Sequence, residues 1–374
     1  MEPARYSSVP LTFYRPASSG SQPARPAERA SSPAARPARK EFVRRRGDRS
    51  QVVRRSVQAG FLLLNLWIGA RFYLFVRYYE SGGGTVFASR PPGVEGYLPI
   101  AGLMNLKYFL GTGTIPAVHP AALVLLLAFL GMAFAFRKAF CSWLCPVGTV
   151  SEWLWQGGRE MFGRTWVMPR WLDLPLRGLK YLVLGLFLWA VLGMSAQAIQ
   201  AFMESPYGII ADVKMLNFFR HLGQTGAIVL LALAAWSVLV KNPWCRYLCP
   251  YGALLGLVSL PSPAAIRRSP EACIDCAKCA KACPSLLPVD QLIAVRSAEC
   301  TGCLECVAAC PAAGALDLSA AGRRLTARAV AWGLAAILTG MVGAAIVTGH
   351  WHSQVPEHLY FDLVPRANSF AHPR

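Results

Sequence analysis

Charge is scarce in this chain of 374 residues: Asp, Glu, Lys and Arg together make up only 15%, against roughly 25% in an ordinary soluble domain. Apolar residues make up 54% instead, and their concentration in blocks points to a lipid bilayer. No glycine-rich phosphate loop, nucleophile triad or dinucleotide fingerprint stands out, which weighs against nucleotide chemistry. Gly82-Gly83-Gly84 reads as a flexible loop. The chain carries a formal net charge of +19, yet no separate basic fold holds it. Basic residues crowd the N-terminal stretch and the ends of the apolar blocks, as in a membrane protein that obeys the positive-inside rule. That distribution argues against nucleic acid as a partner.

The length allows two or three domains. Residues 1–56 are rich in Pro, Ala, Ser and Arg and read as a disordered basic tail. Arg44-Arg45-Arg46 and Arg54-Arg55 precede the first apolar block; a twin-arginine export signal is the rival reading, without an evident cleavage site. Five blocks approach the roughly 20 residues that cross a bilayer: about Val57–Val76, Ala121–Ala139, Gly178–Ala196, Thr225–Val240 and Arg328–Thr348. Flanking charge places the tail, the loop holding Arg137, Lys138, Arg159, Arg164, Arg170 and Arg177, and the segment from Lys241 to Arg328 on the cytoplasmic side. The C-terminus then lies outside. The expected units are the tail, a four-span core over 57–260, a cysteine-rich domain over 261–322, a fifth span over 323–349 and a short outer tail over 350–374.

The 12 cysteines fall into four tight groups, a pattern of metal ligation in a reducing compartment rather than of disulfides. Cys273-x2-Cys276-x2-Cys279-x3-Cys283-Pro284 is followed by Cys300-x2-Cys303-x2-Cys306-x3-Cys310-Pro311. In the bacterial ferredoxin run, three closely spaced thiolates hold one [4Fe–4S] cluster and the fourth reaches the other. That exchange assigns Cys273, Cys276, Cys279 and Cys310 to one cluster, and Cys300, Cys303, Cys306 and Cys283 to the second. A pair of zinc sites is the alternative for thiolates alone, but the doubled three-plus-one pattern favours clusters. Lys278 and Lys281 lie beside the first group and Glu299 and Glu305 flank the second, which would give the first the higher potential.

The other four cysteines form an internal repeat. Cys141-x3-Cys145-Pro146 and Cys245-x3-Cys249-Pro250 each follow the second member of a pair of spans, so two helix pairs should pack as a pseudo-symmetric core. The i,i+4 spacing puts both thiols of a motif on one helix face, with a break just beyond the Pro. Four thiols could then converge on a third cluster, a copper or zinc ion, or a redox dithiol; packing cysteines are the plain alternative.

Together these motifs resemble the membrane-bound polyferredoxin family, which includes the NapH, NosR and FixG types. The resemblance covers about Arg54 to Thr348. It implies a mainly α membrane protein of about five spans, two plus two plus one, with a small α+β two-cluster ferredoxin domain facing the cytoplasm across a bacterial inner membrane. It also implies single-electron transfer between the quinone pool and a redox partner protein, a reductase or oxidase. Metal (copper) reduction for oxidase or reductase maturation and iron–sulfur redox sensing are the rival functions. NosR-type proteins add an outer flavin-binding domain and FixG-type proteins an outer β-sandwich, whereas NapH-type proteins end with the ferredoxin domain. Shared architecture does not transfer substrate.

Weaker candidates remain. Arg71 lies in the first span and can snorkel to the interface. Glu95, Lys107 and Glu204 are candidate proton acceptors for a quinol, with solvated interface residues as the plainer reading. His350, His352 and His358 are a weak copper signal, and the plainer reading is an exposed tail.

Overall fold

The computed structural model describes residues 43–45 and 47–372, so the expected tail lies largely outside the described residues. Long helices occur at each of the five apolar blocks. The first, α1 (Ser50–Glu80), starts seven residues before the expected span. A helix α2 (Pro99–Thr112) follows, then α3 (Pro120–Phe136). Almost every face of α3 is buried, as an all-round apolar helix demands; it packs against α2 and occupies the middle of the molecule.

The repeat comes next. A short helix α4 (Ala139–Trp143) leads into α5 (Pro146–Phe162), and α6 (Arg170–Gly193) follows. Short helices α7 (Ala196–Glu204), α8 (Pro206–Ile209) and α9 (Ala211–Arg220) fill the stretch between the third and fourth apolar blocks. The second copy of the repeat comprises α10 (Gln224–Leu239), a π-helical turn over Trp244–Leu248, and α11 (Pro250–Val258). Each exit helix crosses to the other copy: α5 lies on α10, and α11 lies on α3.

By length and composition α1, Trp171–Gly193 of α6 and the later helix Ala327–Val347 can each cross a membrane. The α9–α10 pair passes the same test jointly but bends by 82°, and α3 is shorter, at 17 residues. Apolar side chains point outward along these helices, with Trp189 and Trp332 both more than 75% exposed. A large exposed apolar surface of this kind belongs against lipid.

Beyond α11 the chain forms a four-stranded antiparallel sheet ordered β2-β1-β3-β4, from β1 (Ala264–Arg268), β2 (Ala294–Val295), β3 (Leu316–Ala320) and β4 (Arg323–Arg324). Two short helices, α12 (Lys278–Ala282) and α13 (Glu305–Ala308), each begin between the second and third cysteines of a ferredoxin-type run. This unit does not stand apart. Cys279, Cys283, Val295 and Leu316 share one continuous core with Phe129, Phe140 and Trp143 of the helical part, and with Val330 and Leu334 of α14 (Ala327–Val347).

Two boundary expectations change. Residues 43–45 pair with the end of the cysteine-rich unit: Arg45 N–H donates to Pro311 O at 2.9 Å and Ala313 N–H to Val43 O at 2.8 Å. The C-terminal stretch is also folded rather than a loose exposed tail. Its helix α15 (Glu357–Leu363) buries Tyr360 and Leu363 against Phe72, Phe75 and Val76 of α1, in a second core distinct from the first.

Candidate metal centre

Each Cys-x3-Cys-Pro motif is broken rather than continuous, which corrects the expectation of two thiols on one helix face. Cys141 sits in α4, but Cys145 is the residue that caps α5; Cys245 sits in the π-turn, and Cys249 caps α11. Pro146 and Pro250 stand at the first position of their helices, where a missing N–H costs nothing. The residue before each Pro is thereby pushed out of helical conformation. In both copies the capping cysteine N–H reaches back five residues, Cys145 to Phe140 O and Cys249 to Trp244 O, each at 2.9 Å.

The crossing of the repeats brings all four thiols to the wall of one cavity of about 460 Å³. Aromatic and aliphatic side chains, among them Phe61, Ile68, Leu125, Phe129, Tyr251 and Trp351, line most of the remainder, with Lys138, Lys241, Arg246 and Glu299 as charged exceptions. Burial pushes the Cys145 thiol up to about 11 and the Cys141, Cys245 and Cys249 thiols up as well, although the N–H groups of Gly148 and Gly252 pull Cys145 and Cys249 back. A freely reacting dithiol needs the reverse, a depressed pKa.

A second, smaller cavity is walled by Cys283, Cys300, Cys303 and Cys306, the four residues assigned from spacing to one cluster. Pro284, Ser285 and Thr301 line both cavities and so form the partition between them. Hydrogen bonds hold the partition closed: Ser142 Oγ donates to Thr301 O at 2.7 Å and Trp143 Nε1 to Gly302 O at 3.1 Å. The remaining set is more open. Cys276 is exposed and Cys273 half-buried, and Cys310 lies within electrostatic reach of both.

Buried cations surround this pair of cavities. Arg54 is fully buried; it makes a bidentate pair with Glu152 at 2.5 and 2.7 Å and reaches Glu305 at 2.8 Å. Beside it, Gln51 Nε2 donates to Cys303 O at 3.0 Å. Lys180 holds Glu299 at 2.6 and 2.7 Å, with Lys138 at 3.9 Å. Arg246 and Arg177 hold Asp173, each at 2.7 Å. The hydrogen bonds of Arg137 to Ser259 O and Ser297 O, and that of Lys241 to Lys281 O, go to carbonyls. Arg137 also lies within hydrogen-bond reach of Cys300, and Lys241 faces Cys283. Arg137 Nε is buried with no hydrogen-bond partner. Six buried cations (Arg54, Arg137, Lys138, Lys180, Lys241 and Arg246) thus face four carboxylates, Glu152, Asp173, Glu299 and Glu305.

A surplus of buried positive charge is costly unless an anion meets it, and thiolates around a metal cluster are anionic. The donor set therefore fits an iron–sulfur group. Among the described residues no three His, Cys, Asp or Glu side chains converge closely enough to hold one metal ion; a cubane instead spreads its thiolates over its corners.

The weaker candidates separate clearly. Glu95 is not solvated: it is fully buried, held by Arg90 at 2.6 Å and by Ala122 N–H at 3.0 Å. Arg90 also pairs with Asp212 at 2.7 Å and donates to His119 Nδ1 at 3.0 Å. His119 Nε2 lies 2.9 Å from Gly208 O, so it must carry the proton. Lys107 bonds the carbonyls that end α6, Val191, Leu192 and Met194. Arg71 reaches Ser89 Oγ at 3.2 Å, and Glu204 accepts from Gln200 at 2.9 Å. Among the described residues His350, His352 and His358 are in no metal-binding group.

Buried thiolate sets docked on apolar helices define a membrane-associated iron–sulfur electron-transfer protein. Comparison with known proteins makes the assignment specific. A 4Fe-4S binding domain model matches residues 118–169 and 222–268, the two repeats, and a 4Fe-4S dicluster domain model matches residues 265–311. The chain is 51% identical to the putative electron transport protein YccM of Escherichia coli (strain K12), over 85% of this chain and 91% of that protein. The methylamine utilization ferredoxin-type protein MauN of Paracoccus denitrificans is 30% identical over 45% of this chain and 56% of its own length. The ferredoxin-type protein NapH of Haemophilus influenzae is 28% identical over 45% and 53%. No solved structure matches. The chain belongs to the membrane-associated ferredoxin-type polyferredoxin family.

Proposed function

We propose that this chain passes single electrons between a membrane quinone and a redox partner protein, through two [4Fe–4S] clusters held by the exchanged cysteine sets. In this reading the helical part makes five passes of a bacterial inner membrane, with the cysteine-rich end in the cytoplasm. Cys273, Cys276, Cys279 and Cys310 would hold one cluster, Cys283, Cys300, Cys303 and Cys306 the other. Cys141, Cys145, Cys245 and Cys249 would hold a third cluster or a metal ion. When bound, a cluster supplies a one-electron change, and a quinol would release two electrons with two protons as it becomes the quinone.

The observation that carries the reading is the shared partition. A cavity opening among lipid-facing helices and a cavity walled by one full set of ferredoxin-type cysteines share Pro284, Ser285 and Thr301 as lining. The apolar wall would take a quinone ring, while Ser142 and Trp143 hold the partition in place and keep water out. The test is reduction by a quinol analogue in proteoliposomes, read by electron paramagnetic resonance. Cluster signals that appear with dithionite but never with the quinol would refute the quinone reading.

A second reading, a factor that reduces copper for an oxidase or reductase, draws on the same four buried thiols. Metal analysis of a variant lacking the eight ferredoxin-type cysteines separates the two: copper retained at about one per chain supports it. For the redox-sensor reading, most of the proposed signalling tail lies outside the described residues.

A further inference from the structure

Counted along the sequence, Lys278 and Lys281 enrich the first cysteine group in positive charge, and Glu299 and Glu305 enrich the second in negative charge. The folded chain reverses that balance. Lys278 and Lys281 are exposed, where water and salt screen them. Asp290 faces Cys279 of the same group, and Arg45, which faces Cys310, is itself paired with Asp48 at 2.8 Å. Glu299 is bound by Lys180 and Lys138, and Glu305 by Arg54, so neither carboxylate is left uncompensated.

Two further cations add charge of the opposite sign. Arg137 lies beside Cys300 and Lys241 faces Cys283, whereas Arg54, beside Cys303, is already matched by Glu152 and Glu305. Both cations are less than 9% exposed, and the side-chain hydrogen bonds of both go to neutral carbonyls. Neither belongs to the cysteine-rich unit: Arg137 comes from the end of α3 and Lys241 from just beyond α10. A thiolate-bound centre becomes more negative by one charge on reduction, and a nearby cation in a poorly screened interior favours that state.

We propose that Arg137 and Lys241 make the Cys283, Cys300, Cys303 and Cys306 set the higher-potential site of the two, with the charge supplied by the membrane helices. They act as positioning residues, through the thiolates. The inference rests on the two-cluster reading above.

The test is a redox titration of the full chain in detergent, with dithionite as one-electron reductant and paramagnetic resonance as readout. Cys303→Ser and Cys276→Ser, each altering one signal's shape, assign the two signals. The signal altered by Cys303→Ser should titrate at the higher potential. Arg137→Gln and Lys241→Gln should each lower its reduced-to-oxidised ratio at fixed potential about tenfold, 59 mV for a one-electron couple, and leave the other signal in place. Arg54→Lys, which keeps the charge, should hold the midpoint, and Lys278→Gln should move neither signal. The proposal is overturned if the Cys276 signal has the higher potential in the unmodified protein, a comparison that needs no folded charge variant. Unmoved midpoints in both glutamine variants overturn it equally. Iron well short of about eight per chain would instead bring down the two-cluster reading, and the proposal with it.

Discussion

Gly148 and Gly252 occupy matching positions in the two repeats, two residues after Pro146 and Pro250, yet alanine should be tolerated at only one of them. A Cβ on Gly148 would lie 2.2 Å from Cys141 O, whereas a Cβ on Gly252 would lie 3.6 Å from Cys245 O. Real side chains essentially never come closer than 3.0 Å, so Gly148→Ala must move the Cys141 carbonyl by at least about 0.8 Å. The obstacle is backbone and cannot rotate away. Overpacking of this kind costs about 1–3 kcal/mol, and the movement pulls the Cys141 thiol off the cavity wall. Gly252→Ala meets only ordinary contact and should gain about 0.5–1 kcal/mol from its helical position. The difference arises because Cys245 sits in a π-turn, whereas Cys141 sits in an α-helix. Thermal unfolding in detergent, with iron and sulfide counts, reads both effects. Equal tolerance of the two alanines, or greater damage from Gly252→Ala, refutes the reasoning.

Other perturbations probe the rest of the molecule. Cys283→Ser should alter the same resonance signal as Cys303→Ser, despite belonging to the first run; a match to Cys276→Ser would show that the fourth cysteines do not exchange. Trp143→Phe removes the bond to Gly302 O and should cost about 1 kcal/mol, seen as faster proteolysis of the cysteine-rich unit; unchanged cleavage argues against a docking role. Arg90→Met leaves Glu95 and Asp212 buried without their shared partner and should cost about 3–5 kcal/mol in chemical denaturation, an effect under 1 kcal/mol contradicting this. Burial alone would raise the Glu95 pKa, but Arg90 and His119 outweigh it and hold it below 4.5. Its contribution to stability should therefore be complete above pH 4.5 and fade as the pH falls through the lower folded value. Melting curves that stay flat down that acid limb, or that drop equally for Glu95→Gln, would remove this role.

The apolar blocks and the cysteine spacing were legible because each is a local pattern. Blocks of apolar residues dictate helices, and three-plus-one spacing dictates which thiols can meet. Side-chain surroundings were not legible, because they depend on partners far along the chain. Arg54, Arg137 and Lys241 read as markers of membrane orientation, since flanking cations look alike in one dimension; the fold buries all three beside thiols. Arg55 and Arg159, which carry the same signal, stay exposed. Glu95 read as solvated because His119, Ala122 and Asp212, which complete the cluster around Glu95 and its neighbour Arg90, come from separate segments. The break inside each Cys-x3-Cys-Pro motif was foreshadowed by its Pro, but the cap falls on the second cysteine itself, earlier than expected.

The backbone pairing of residues 43–45 with Pro311 and Ala313 has a bearing on biosynthesis. Arg45 bonds Val307 across 262 positions of sequence, so a stretch that leaves the ribosome early waits for almost the last part of the cysteine-rich unit. Every intervening helix has been made by then. Closing that seam is thus a late event, and iron delivered before it would meet a cradle still lacking one side.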